Sequence, residues 1–178
     1  DGIYGDKISF MLQLRATGED ICEPYADRFK SAIFYQGRRP WEQAADIYLT
    51  CATQNELNGE DADRILAHRP CCVAEVSNMG CTAEAVDKLT TKGLLFAPGK
   101  AVNAGGVAVS GLEMTQNAIR LTWNEAEVDA RLHRIMHDIH EQCVRYGRQS
   151  DDRINYVKGA NVAGFMKVAH AMIAQGVV

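Results

Sequence analysis

The chain has 178 residues, 47% hydrophobic and 24% charged, with a formal net charge of −4. That composition is ordinary for a globular protein, and the length is enough for one sizeable core. Lacking a Lys/Arg run, it offers nothing for nucleic acid or an anionic membrane surface, and no apolar run approaches the roughly 20 residues of a membrane span.

The sequence opens at Asp1 with no methionine and no leader or transit pattern, so a piece of a longer chain is expected from the first residue. Residues 6–15 (DKISFMLQLR) read as a helix and AIFYQ (32–36) as a short strand. ADIYLTCA (45–52) is a stronger strand, followed by turn residues and a helix near GEDADRILAHR. PCCVAE (70–75) has the length of a strand, and CTAEAVDKLTTKG reads as a helix ending at Gly93. LLFAPG (94–99) is a third strand, stopped by Pro98. Short apolar runs alternating with amphipathic stretches predict an α/β fold with a parallel sheet.

After Lys100 three long helical patterns follow one another. The first, AVNAGGVAVSGLEM (101–114), reads as a buried helix but contains Gly105, Gly106 and Gly111. Each interior glycine costs about 1 kcal/mol against alanine, so a gain elsewhere is expected. The second has Asn124 as N-cap, Glu125 and Glu127 in its first turn, and Val128, Leu132, Ile135, Met136, Ile139 and Cys143 on one face. The third, about 155–174, repeats the pattern with Val162, Phe165, Met166, Ala169, Met172 and Ile173, after a polar loop at 148–153.

In an open α/β sheet ligands bind at the carboxyl ends of the strands. Thr53-Gln54-Asn55, Ser77-Asn78 and Lys100 to Asn103 all fall there. Such amides and hydroxyls suit ribose hydroxyls and a carboxamide, and they equally suit turns. No G-x-G-x-x-G follows a strand, so a pyrophosphate grip would have to lie elsewhere. His133, His137 and His140 share helical spacing, but no carboxylate or cysteine set completes a metal site, so they read as solvated and no metal is expected. Cys51, Cys71 and Cys72 read as strand core. The six cysteines show no framework spacing, which suits free thiols in a reducing, cytoplasmic compartment. No Ser/His/Asp arrangement is recognisable.

At CATQNELN (51–58), LLFAPGKAVNAGGVAVSGLEMTQN (94–117) and NYVKGANVAGFMKVAHAMIAQGVV (155–178) the sequence resembles the glutamate dehydrogenases, most closely the hexameric microbial type. The resemblance extends over nearly the whole chain. It implies a partial Rossmann-like dinucleotide-binding domain at 1–121, with helices at 122–178 returning to an absent amino-terminal substrate domain through the hinge. It also implies that the phosphate loop, the catalytic lysine and aspartate, and the lysine that pairs with the substrate side chain precede Asp1, while the carboxyl terminus is complete. No catalytic residue is therefore expected in this chain.

The implied coenzyme is NADP, with NAD possible, and the implied reaction converts L-glutamate to 2-oxoglutarate and ammonium in a homohexamer. By position, Cys51, Ala52, Thr53 and Gln54 would lie along the adenosine, and Asn78 by the nicotinamide ribose. Asn103 would face the nicotinamide and substrate, Val107 would line the pocket, and Ser110 would donate to the γ-carboxylate. The glycines would thin the helix beneath the ring. Two departures stand out: Thr50 where the family has proline, and Ser77-Asn78-Met79-Gly80-Cys81 where it has Ala-Asn-Met-Pro-Thr. Losing the second proline is expected to loosen the turn that carries Asn78. Rival readings are a leucine, valine or phenylalanine dehydrogenase, which would need an apolar wall at Ser110, and a non-catalytic nucleotide-binding module.

Overall fold

The computed structural model describes residues 2–18 and 21–176, which form two compact units, Asp1–Pro40 and Trp41–Val178. The first unit contains α1 (Asp6–Ala16) and the short α2 (Glu23–Arg28), whose Pro24 suits an opening turn. Phe29 sits edge-on to Phe10 at 5.7 Å and against Tyr25 at 4.8 Å, and Arg28 lies over Phe10. The strand expected at 32–36 does not form. No neighbouring strand pairs with it among the described residues, and Ile33, Phe34 and Tyr35 stay exposed.

The second unit is built on β1 (Ile47–Thr50), α3 (Gly59–Ala67), β2 (Cys72–Glu75), α4 (Ala83–Thr91) and β3 (Leu95–Ala97). The strands are parallel in the order β1-β2-β3, each joined to the next through a helix. Each strand is shorter than its apolar run. Pro98 ends the third, and Thr50 pairs with Glu75 where the first two end together.

Alternation along the strands builds the core. Tyr48, Val73 and Phe96 face inward with Leu57, Ala62, Ile65, Ala85 and Leu89, and Trp41 closes one side. Asn58 caps α3 through a reciprocal box with Asp61, and Thr82 caps α4. The opposite sheet face carries Ile47, Leu49 and Leu95, all exposed. Parallel sheets ordinarily have both faces covered, so this face is open in the described chain.

Past β3 the first expected helix is interrupted. α5 (Gly99–Val102) stops at Asn103, whose φ of −93° and ψ of 6° leave helical geometry, and α6 (Ala104–Ile119) then begins. Nor is this helix buried: α6 has no buried residue, because nothing in the described chain covers Val107, Val109 or Met114.

Next come α7 (Glu125–Gly147), with a capping box between Asn124 and Glu127, and α8 (Tyr156–Gln175). The inward face of α7 is the expected one, from Val128 to the buried Cys143. α7 and α8 pack closely along Gly147 and Gly159, and α8 also reaches β3. The loop between them is polar, with Arg148 paired to Asp152 and Arg153 to Asp151. Among the described residues no helix is long and apolar enough to cross a membrane.

The cysteines do not follow their expected places. Cys51 and Cys71 are exposed and Cys72 is half-buried, while Cys81 and Cys143 are the buried pair of thiols. Cys51 lies just past the last residue of β1, and Cys72 points to the uncovered side of the sheet. His133 and His137 are exposed, near Asp129 and Asp138.

Candidate functional site

Thr50, Glu75 and Ala97 end the three strands, so the segments that follow gather at one edge of the sheet. There an open cleft of about 590 Å³ is lined by Cys51, Ala52, Gln54, Val76, Ser77, Asn78, Asn103, Gly106 and Val107. None of these side chains is charged, so the cleft offers amides, a thiol and small apolar groups.

The break before α6 accounts for its central contact. Asn103, standing between two helices, donates from Nδ2 to Oδ1 of Asn78 at 2.7 Å. One amide from the β2–α4 loop and one from the α5–α6 junction thus form a pair, leaving further donor and acceptor capacity on each.

Of the residues singled out above, the structure brings Cys51, Ala52, Gln54, Asn78, Asn103 and Val107 to this one cleft. Thr53 is exposed beside it without lining it. Ser110 lies three residues beyond Val107 on α6, and its hydroxyl donates to the Gly106 carbonyl at 3.4 Å.

A Cβ placed at Gly106 or Gly111 would meet nothing within 4 Å, and one at Gly105 only ordinary contacts with Leu132 and Met136 at 3.5 Å. Packing within the described chain therefore explains none of the three glycines. Gly106 and Gly111 turn a thin face to open space, while Gly105 lies against α7.

The turn below Asn78 is firmly held despite its missing proline. Met79 O accepts from Asn55 N–H at 2.7 Å, Gly80 O from Leu57 N–H at 3.0 Å, and Leu57 O from Thr82 N–H at 2.9 Å. Asn55 and Met79 both take left-handed backbone, with φ of 55° and 53°. Gly80 is required by its neighbours, since a Cβ there would overlap the hydroxyls of Thr50 and Ser77. Those two buried hydroxyls complete no hydrogen bond of ordinary geometry among the described residues. The departures at positions 50, 77 and 80 are thus in mutual contact, the hydroxyls occupying the space a larger residue would fill.

Reading the residues alone missed Glu75 and Val76. Glu75 ends β2 facing the same side as Val73 and is buried. A charged residue closing an otherwise apolar strand was the available signal. Its carboxylate accepts from Cys81 N–H at 2.9 Å and Gly99 N–H at 2.8 Å. Burial pushes the Cys81 thiol up to about 12, the Glu75 charge adds to that, and the Thr50 hydroxyl pulls weakly the other way.

Three parallel strands joined through helices, with an uncharged cleft at their carboxyl ends, define an α/β protein of the kind that binds ligands at that edge. Residues 1–176 match the family model of the Glutamate/Leucine/Phenylalanine/Valine dehydrogenases, and the chain belongs to that family. It is 62% identical over 178 residues to an NAD-specific glutamate dehydrogenase of Bacteroides fragilis, covering all of this chain and 40% of that one. It is 50% identical to an NADP-specific glutamate dehydrogenase of Haemophilus influenzae, covering 99% of this chain and 39% of that one. A solved glutamate dehydrogenase superposes with a TM-score of 0.92 at 44% identity, covering 100% of this chain and 40% of the other. The chain therefore spans about 40% of the length of these relatives.

Proposed function

We propose that this chain is the carboxyl-terminal portion of a glutamate dehydrogenase, contributing the coenzyme face of a cleft in which L-glutamate is reversibly deaminated to 2-oxoglutarate and ammonium. The observation that carries this is the Asn78–Asn103 amide pair beside the open, thin-backed start of α6, at the carboxyl edge of a parallel sheet. The uncharged lining fits a nicotinamide dinucleotide: amides for the carboxamide and ribose, and a small-residue floor for a flat ring. When bound, the nicotinamide supplies the hydride acceptor.

This chain's own residues bind and orient. Cys51, Ala52, Thr53 and Gln54 run along the adenosine side, Asn78 holds the nicotinamide ribose, and Asn103 faces both the nicotinamide and the substrate amino group. Val107 forms the apolar wall. Ser110 turns its hydroxyl to the substrate γ-carboxylate, because a buried carboxylate without a donor is costly. The lysine and aspartate that move protons belong to the amino-terminal substrate domain. Residues 1–121 complete the dinucleotide-binding domain, and 122–178 return towards that substrate domain, whose closure excludes water.

The resemblance implies NADP, while relatives named NAD-specific and NADP-specific stand at 62% and 50% identity, so the reading is a nicotinamide dinucleotide of either kind. The parent assembly is a homohexamer, in the reducing cytoplasmic setting that six unpaired thiols suit.

The test is steady-state kinetics of the full-length polypeptide with NAD and NADP, using glutamate, leucine and phenylalanine as substrates. Glutamate should be preferred, and Ser110→Ala should lower kcat/KM for glutamate by about tenfold to a hundredfold through the lost donor. Indifference of glutamate kinetics to that change would remove Ser110 from the site, and a preference for leucine or phenylalanine would overturn the substrate assignment.

A further inference from the structure

Glu75 is an acidic side chain with 9% of its surface exposed, placed at the end of the central strand. Both of its carboxylate oxygens are used, one on Cys81 N–H and one on Gly99 N–H. These donors belong to different loops. Cys81 closes the turn that carries Asn78, and Gly99 opens the single helical turn that ends at Asn103. The fit around the carboxylate is close, since a Cβ at Gly99 would stand 3.1 Å from Glu75 Oε2 and 3.2 Å from the Ser77 carbonyl.

We infer that Glu75 is a positioning residue for the coenzyme cleft, a latch that holds the Asn78 loop and the Asn103 junction at the separation their amide pair requires. The chemistry singles out a carboxylate. Two backbone N–H groups from separate segments need two acceptors on one short planar group. Glutamine has the same shape but turns an NH₂ towards one of the two donors, and an alkyl group leaves both donors unpaired. No other side chain bridges these two N–H groups in the described structure. Among the described residues no backbone hydrogen bond joins either asparagine to the other's loop, so beyond the β2–β3 pairing the latch sets the relative placement of the pair. The inference rests on the coenzyme reading of the cleft given above.

The experiment compares wild type, Glu75→Gln and the core variant Ile65→Val in the full-length polypeptide, by steady-state kinetics, thermal denaturation and amide hydrogen exchange. E75Q should raise KM for the nicotinamide dinucleotide about tenfold, since small misplacements of binding groups are costly. It should also speed exchange at Cys81 and Gly99 by at least about tenfold. I65V, which loses a methyl group in the same core, should lower the melting temperature while leaving that KM and those two amides within about twofold of wild type. If E75Q cannot be folded, Glu75→Asp keeps the charge but is one methylene shorter, and it should show the same selective rise in KM with faster exchange at one of the two amides. The inference is overturned if the glutamate variant changes KM and the two amides no more than I65V does. Absence of glutamate-dependent reduction in the wild type would remove the coenzyme reading instead, and the exchange rates would still decide whether Glu75 holds the two loops.

Discussion

A methyl group added at Gly106 would meet no atom within 4 Å, yet glycine at a helical position sacrifices up to about 1 kcal/mol against alanine. Gly106→Ala should therefore raise the stability of this chain by up to that amount in a denaturant titration, while weakening nicotinamide dinucleotide binding by the intact enzyme. Loss of stability without loss of binding would place the reason for the glycine in folding rather than in the cleft. Cys81 makes the complementary case, a side chain governed wholly by its surroundings. Its pKa rises from 9.0 to about 12, through burial first and the Glu75 charge second. A thiol so shifted stays protonated in the folded chain at pH 8, so iodoacetamide should modify exposed Cys51 and spare Cys81, as peptide mass mapping would show. The linkage sign follows from the raised value. Below about pH 9 the thiol is protonated in both folded and unfolded chains, and its contribution is fully present. Between about 9 and 12 only the unfolded chain loses the proton, so stability should fall across that window and Cys81→Ala should flatten the fall.

Among the elements, α7 and α8 are most tightly specified by their contact. A Cβ at Gly159 would fall 2.9 Å from Cys143 Cα, and one at Gly147 would press on the Asn155 carbonyl. Gly159→Ala should destabilise the second unit by about 1–3 kcal/mol, measured by thermal or chemical unfolding, because backbone cannot yield as a flexible side chain does. The same element scale shows what periodicity captures. The Asn124 cap, the inward face of α7 and the helices between strands were readable, since caps and 3.6-residue spacing are local signals. The break at Asn103 was missed although asparagine is itself a capping residue, because the Ala- and Val-rich run around it reads as one continuous helix. AIFYQ reads as a strand by composition, but strand formation needs a partner, and none is present among the described residues.

At the scale of the whole molecule, the apolar surface is unevenly covered. Val107 and Met114 on α6 are 74% and 71% exposed, and Phe165 and Ile173 on α8 are 68% and 78% exposed. Surfaces of this kind mark contact with something further. The isolated chain should therefore self-associate with rising concentration, as sedimentation would show, and F165E with I173E should restore monomers without loss of helical signal. It should also lack glutamate-dependent reduction of nicotinamide dinucleotide. A monomeric, active isolated chain would contradict both expectations.

By itself the sequence determined the α/β class, the alternation of strands and helices, the Asn124 cap, and Gln54, Ser77, Asn78 and Asn103 among the polar residues past the strand ends, since these signals lie within a few neighbouring positions. Only the tertiary structure decided that Asn78 and Asn103 meet, that Glu75 joins the loops beneath them, that Gly106 and Gly111 face open space, and that Thr50, Ser77 and Gly80 share one small volume. Those facts depend on which distant segments are brought to the same edge of the sheet, and side-chain spacing along the chain carries no record of that distance.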